Sequence, residues 1–481
     1  MAINNQIRKV TKRTRGFEDF DENRILQAIR RAALDYGGFL VNVLDETFHQ
    51  IYQGKSEEQI AQMLVDDIIL CLNSHSENLI PYHPPLVERI QDIVEHVLYS
   101  RGFIEIAEVY HVFRSGRALI REKEIGEEQF AGNGFPREFL GRLELWNRER
   151  NCASLEELNE IVLRGKLQDL IDASIAEYEF ALDEAARKFL SNPKVRVMVI
   201  TGPSSSGKTT TTHKLKERLR REGVRFKTLE LDNYFWDLQQ HPRDAFGDYN
   251  YEIPESLDLI SINRHVLALL EGEVVDVPVY NFKTGSRESF TRKFRLNEDE
   301  VLLLDSLYGL FPAMLKGVAK ERRFQLYIET LTPLEAELGS QRRWIPFTDY
   351  RLLRRMLRDA EHRNSPPEQT LAHWHYVRKG ELNDIIPRIF VADFILNGGL
   401  LFELPVLKQC IEDRFPDYQK YLDQRRLDPY IRGKRVKGIL DKVVAANLDL
   451  GDYRIIPEDC HLREFIGGGK YSQHGQGDTS E

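Results

Sequence analysis

The chain has 481 residues, with 67 Lys and Arg against 76 Asp and Glu and a formal net charge of −9. Its 42% hydrophobic and 30% charged residues match a packed globular protein. That excludes wholesale disorder, and the acidic balance argues against a nucleic-acid coat protein. The length suits about three domains. Cys71, Cys152, Cys410 and Cys460 form no CxxC, so neither a zinc knuckle nor a disulfide framework is expected. The opening stretch MAINNQIRKVTKRTRG lacks an apolar signal core, and no run approaches about 18 apolar residues. The expectation is a cytoplasmic protein with no membrane and no nucleic-acid partner.

Residues 1–31 are basic. Residues 7–120 read as a small, mostly helical unit. Asp21 is placed to cap a helix in which Ile25, Ala28, Ile29 and Ala32 recur at helical spacing, and two more helices are predicted near 56–73 and 86–101, separated by Pro81, Pro84 and Pro85. A bridge over 121–194 begins with the loop AGNGFP, carries helices over 154–165 and 167–190, and closes with SNPK.

From Val195 the pattern changes. The run VRVMVI is followed by a glycine loop and then a helix with Leu215 and Leu219 four apart, ending at Gly223. Next come FKTLEL (226–231), a long polar loop, a helix at 261–271, VLLLD (301–305) and FQLYIE (324–329). Continuous apolar strands alternating with helices predict a parallel sheet covered on both faces. Residues 349–363 form an arginine-rich helix pattern. Residues 390–465 read only as mixed structure, and the glycine-rich tail after Phe465 reads as disordered.

The segment Gly202-Pro203-Ser204-Ser205-Ser206-Gly207-Lys208-Thr209, followed by Thr210, satisfies GxxxxGK[ST] between an apolar strand and an amphipathic helix. Glycines let backbone N–H groups approach phosphate oxygens, Lys208 reaches the β- and γ-phosphates, and Thr209 offers a hydroxyl to Mg²⁺. A small-molecule kinase also needs a base for the acceptor hydroxyl, an acid near the metal, and cations for the moving phosphoryl group. Asp232 lies just past strand 226–231, where doubly wound sheets place their ligands. Asp305 ends VLLLD as a metal-side acid should. Arg351, Arg354, Arg355 and Arg358 recur at three- and four-residue spacing, with Arg363 beyond. The competing reading of these arginines is a solvated helix face paired to Asp349, Asp359 and Glu361. His373 and His375 flank Trp374 at a spacing that shares no helix face, so core packing of the indole is expected there rather than a metal site.

Taken in order, these motifs resemble the uridine kinase and phosphoribulokinase family over about 195–410. GPSSSGKTTT resembles its phosphate loop, and LDNYFWD (231–237) its acceptor motif, which puts the catalytic aspartate on Asp232. DYNYEIPESLD (248–258) is similar to its acidic acceptor loop, with Glu252 at the acidic position. VPVYNFKTGSR (277–287) is similar to the acceptor wall, with Tyr280 and Arg287. LLLDSLYGL (302–310) resembles the second acidic motif with Asp305, and DYRLLRRMLRD…R (349–363) the arginine lid. TLAHWHYVRKGE (370–381) and IPEDCHLREFIGG (456–468) resemble segments of a longer bacterial subgroup. Three positions depart from the uridine kinase pattern: Gly285 stands near a usual histidine, Phe235 replaces a usual tyrosine, and Glu252 a usual aspartate. Glycine offers no group to a base edge, so the acceptor stays open. VTKRTRGFEDFDENRI (10–25) and AEVYHVFR (107–114) are similar to the two ends of an ATP-cone domain, which implies Lys12, Arg13 and Gly16 near a regulatory phosphate.

The reading is therefore an α/β P-loop kinase fold with a doubly wound parallel sheet, preceded by a small helical ATP-cone-like domain. The expected domains are 1–120, a helical linker 121–194, the kinase 195–410, and an extension 411–481. The resemblance implies an ATP-dependent kinase acting on a nucleoside 5′-hydroxyl, with Mg²⁺ held by Thr209 and Asp305. Lys208, Arg354, Arg355 and Arg358 would stabilise the moving group, with Glu252, Tyr280, Arg287 and Arg351 lining the acceptor site. Regulation by ATP or dATP and self-association accompany that reading. The alternatives are a kinase for another sugar or sugar phosphate, and a nucleotide-responsive regulator without metabolite kinase activity.

Overall fold

The computed structural model describes residues 5–12, 16–36, 38–39, 51–74, 84–121, 134–241, 249, 252–281, 284–338, 341–363, 365–424 and 426–471. They fall into two compact units, one within 1–137 plus 337–343 and 418–435, the other within 138–336, 344–417 and 436–481.

In the first unit, strands β1 (Lys9–Thr11) and β2 (Phe17–Asp19) form an antiparallel hairpin, in register Lys9↔Asp19 and Thr11↔Phe17. Helices follow at Glu22–Tyr36, Glu57–Ser74, Val87–Ser100 and Ile104–Arg121. The predicted periodic positions Ile25, Ile29 and Ala32 join Ile60, Leu64, Ile68, Val94 and Ile106 in one core. Glu105 and Glu108 on the last helix pair with Arg435 and Arg432, both buried and both far along the chain.

The second unit is built on a five-stranded sheet. Strand β3 (Val197–Thr201) is apolar and buried at every residue, as the central strand of a sheet covered on both faces should be. Strand β4 (Arg225–Glu230) follows the helix Lys208–Arg221, whose end is marked by Gly223 at φ +85°. The long polar loop and a helix Leu259–Leu270 lead to a hairpin outside the main sheet, β5 (Val274–Asn281) with β6 (Ser286–Arg295). Strands β7 (Glu300–Ser306) and β8 (Arg323–Glu329) return to the sheet. Two short strands, β9 (Glu335–Leu338) and β10 (Gln341–Trp344), lie largely within the 337–343 segment of the first unit; in the second unit the helices Phe347–His362 and Pro367–Gly380 follow, and β11 (Phe394–Asn397) completes the sheet. The order is β11-β8-β3-β7-β4, all parallel.

One face of the sheet packs Leu215 and Leu219 together with Tyr178, Leu182, Ala185 and Phe189 from the helix Leu167–Leu190. Residues 138–194, expected as a separate linker, thus belong to the body of the sheet: their helix supplies an apolar face that the sheet needs. The expected 411–481 extension also divides, with 418–435 in the first unit and 436–471 in the second. Part of the expected disordered tail is ordered, since Tyr471 is buried; residues 472–481 lie outside the described residues. Among the described residues no helix is long and apolar enough to cross a membrane.

Candidate active site

The register brings the carboxyl ends of the strands to one edge. Asp305 on β7 aligns with Ile200 on β3 and Glu230 on β4. The loop after β3, the turn after β4 and the end of β7 therefore converge, as doubly wound sheets arrange their ligand crevice.

β3 runs into the loop 202–207, where Gly202, Ser205 and Gly207 take φ of +152°, +62° and +94°. At Gly202 the loop lies against β8 so closely that a Cβ would stand 2.0 Å from the Ile328 carbonyl oxygen. Gly202→Ala must push the loop off the sheet. Turnover with ATP is expected to fall on the order of 10²-fold, as for a misplaced reacting group. Steady-state kinetics check this; an unchanged rate would contradict the placement. Lys208 Nζ bonds the Gly202 and Pro203 carbonyls at 2.9 and 3.0 Å. Burial lowers its pKa, against the opposing pull of Asp305 and Glu464. Thr209 is exposed at the first turn of the helix, and Thr211 Oγ1 donates to the Gly207 carbonyl at 2.7 Å.

Asp232 lies in a 3₁₀ turn, Leu231–Tyr234, at the end of β4. Asp232 is exposed, yet neighbouring protein atoms partly desolvate its carboxylate. Burial therefore raises its pKa, while Lys208 and Arg363 lower it. Asp305 is held up to about 6, chiefly by burial and further by Asp232 and Glu464, with Lys208 opposing. Lys208, Asp232 and Asp305 thus influence one another's titration. Glu252 is buried with a raised pKa; Arg355 Nη1 and His373 Nε2 each lie 3.9 Å from its Oε1.

The arginines divide. Arg355 Nη1 donates to Ser204 Oγ at 2.6 Å, and Arg355, Arg358 and Arg363 all reach Asp359, at 2.6, 3.4 and 3.5 Å. Burial and its two arginine neighbours lower Arg358 to about 10. Arg351 and Arg354 depart from the expected roles at the acceptor and in the lid. They are 1% and 0% exposed. Arg351 pairs with Glu329 at 2.6 Å and with Glu381, and donates to the Ser204 carbonyl at 3.2 Å. Arg354 pairs with Glu403 at 2.7 Å and donates to the carbonyls of Gly398 and Ser205 at 2.8 and 3.4 Å. Two desolvated guanidiniums that each hold buried carboxylates and loop carbonyls brace the loop from behind; leaving their partners would strand buried charge.

Arg287 is also committed inward. Its Nε and Nη2 donate to the carbonyls of Phe235 and Tyr234, both at 2.8 Å, and its guanidinium lies 4.4 Å from the Trp236 ring centroid. It fixes the segment after Asp232 rather than facing an acceptor. Tyr280, paired in register with Arg287, sits 5.7 Å from the Phe235 ring, and its N–H donates to Asn233 Oδ1 at 3.1 Å. Gly285 adopts φ +67° against Leu238.

Several working residues were not read from sequence. Glu329 ends an apolar strand just as Asp305 does, a signal that was available. Glu381, Glu403 and Glu464 carried none. His373 faces Glu252, and burial lowers its pKa to about 4; Trp374 is core, its Nε1 donating to Thr348 Oγ1 at 3.0 Å. No group of three metal-ligating side chains occurs among the described residues. In the first unit, Lys12 is ion-paired to Glu18 at 3.1 Å and its N–H donates to the Gly16 carbonyl at 2.7 Å; Arg13 lies outside the described residues.

A parallel sheet that delivers a GxxxxGKT loop, an aspartate in the turn after β4 and a second strand-end acid to one edge defines a P-loop phosphotransferase. Comparison agrees: residues 197–342 match the model of the phosphoribulokinase / uridine kinase family, and residues 8–119 that of the ATP cone domain. The chain carries a domain of that kinase family together with an ATP cone domain, and it is an ATP-dependent kinase. A uridine kinase of Deinococcus deserti is 29% identical over 206 residues, 42% of this chain and 88% of that protein. Uridine-cytidine kinase B of Dictyostelium discoideum is 25% identical over 204 residues, 42% of this chain and 74% of its own. Among solved structures, a possible uridine kinase from Bacillus stearothermophilus aligns with TM-score 0.32 at 15% identity, over 46% of this chain and 100% of that one.

Proposed function

We propose that the kinase transfers the γ-phosphoryl group of ATP to the 5′-hydroxyl of a pyrimidine nucleoside. The observation that supports this most is Asp232: a carboxylate coupled to Lys208, in the turn that ends β4, at the same sheet edge as the phosphate loop. Its carboxylate takes the hydroxyl proton as the acceptor oxygen bonds the γ-phosphorus; the bond to the β-phosphate oxygen breaks and ADP leaves. Lys208, Arg355 and Arg358 balance the charge of the moving group. Thr209, in the first turn of the helix, and Asp305, near the end of β7, would hold Mg²⁺, which takes one or two protein oxygens plus substrate phosphates. When bound, that ion screens the phosphate charge.

Gly285 favours a second reading, another sugar or sugar phosphate as acceptor, because it presents no group to a base and Arg287 is already spent. Turnover with Mg-ATP against uridine, cytidine and a panel of sugars and sugar phosphates decides between them. Phosphorylation of uridine or cytidine at the highest kcat/KM supports the first reading; preference for a sugar phosphate supports the second; ATP binding with no product supports a regulator instead.

A pH dependence follows from Asp305. With its pKa at about 6, it is protonated below that value and cannot serve a cation. We expect kcat/KM to fall as pH drops through about 6; a profile flat to pH 5 would contradict this role. The N-terminal unit is proposed as a nucleotide sensor that uses Lys12, Arg13 and Gly16.

A further inference from the structure

The segment 457–471 is laid along the helix that follows the phosphate loop. Lys214 Nζ bonds the Asp459 carbonyl and Oδ2 at 2.9 and 2.8 Å. Tyr471 OH donates to Glu217 Oε1 at 3.0 Å, and its ring stacks on His213 at 5.1 Å. His461 Nε2 pairs with the Gly398 carbonyl at 2.8 Å, and its ring packs against Gly207 and Tyr178. Leu462 and Phe465 are fully buried, with the Arg354 guanidinium 5.1 Å from the Phe465 ring. These anchors aim Glu464 at the helix start, where its Oε2 lies 3.4 Å from Thr210 N and 3.3 Å from Thr210 Oγ1.

The first-turn N–H groups of an α-helix have no partner within the helix, and after a glycine loop of this kind they face phosphate oxygens. Here one of them faces a carboxylate of the protein itself, while Lys208 holds the carbonyls of Gly202 and Pro203. The hydroxyls of Ser205 and Ser206 are buried without a partner among the described residues. Two groups of the kind that bind phosphate thus face the protein's own oxygens, beside two buried serine hydroxyls.

We propose that Glu464 is a built-in competitor for nucleotide phosphate. Its carboxylate holds the Thr210 donors, must yield them when nucleotide binds, and reclaims them as ADP leaves. The backbone of 457–471 is fixed by its anchors, so the exchange needs only rotation of one side chain. A charge so close to the loop lowers nucleotide affinity and hastens release. This rests on the nucleotide reading of loop 202–209 and on no particular acceptor.

The test is calorimetric binding of Mg-ADP and a non-hydrolysable Mg-ATP analogue to the full chain. Glu464→Gln and Glu464→Ala are expected to tighten both by roughly tenfold, the scale of one partly screened charge repulsion. Glu464→Asp, which keeps the charge, stays near wild type. Unchanged affinity with a lowered unfolding temperature would make Glu464 a helix cap only and overturn the proposal. Weakened affinity restored by excess Mg²⁺ would make it a metal-organising acid and overturn it equally. Lys208→Ala reports separately on the premise: if it binds nucleotide as wild type does, the loop reading itself fails, whatever the Glu464 variants show.

Discussion

Asp232→Asn is expected to lower turnover by roughly 10²–10⁴-fold, the usual contribution of a positioned general base. Affinity for Mg-ATP should change by no more than a few-fold. The split follows from the proposed roles: Lys208 and the loop amides would grip the nucleotide from the end of β3, whereas Asp232, at the end of β4, would meet the acceptor. Asparagine keeps the volume and the 3₁₀ turn but cannot accept the proton. Steady-state kinetics together with nucleotide binding check the pair of expectations. A variant that loses ATP binding and turnover together would show that Asp232 supports the cradle instead of the chemistry.

Glu403→Ala should destabilise the second unit by about 3–5 kcal/mol, the usual cost of removing one partner from a buried ion pair. Arg354 and Glu403 are both fully buried, and burial raises the Glu403 pKa against the pull of Arg354. Without the carboxylate, a desolvated guanidinium keeps only the carbonyls of Ser205 and Gly398 and the Thr330 hydroxyl, at 3.4, 2.8 and 3.1 Å. The phosphate loop loses its brace, so ATP affinity should fall with stability. Chemical denaturation measures the first effect. A shift below about 1 kcal/mol would mean the charge finds water or another carboxylate.

How far the sequence carried the account follows from the reach of its signals. The strands 197–201, 300–306 and 323–329 were legible because buried parallel strands are continuous apolar runs, and the loop because its chemistry lies within eight consecutive residues. The β1–β2 hairpin was not, since three-residue strands are too short to show alternation. The helix 137–149 was missed because, apart from the apolar Leu140, its one other fully buried residue is polar, Asn147. Arg351 and Arg354 looked like a lid because only their spacing was visible. Their buried partners Glu329, Glu381 and Glu403 come from other elements, and no local pattern joins them. The same holds for Glu464, 254 positions from Thr210. The loop motif was local and readable; the residues that support it, and Glu464, come from distant parts of the chain.

The most direct test of the central claim is a single-turnover reaction with ATP labelled in the γ-phosphate, run with and without the preferred acceptor. The account predicts that the label moves into a phosphoester of the acceptor, at a rate that collapses in Asp232→Asn. Label recovered only as inorganic phosphate, or retained in bound ATP whether or not an acceptor is present, would contradict it.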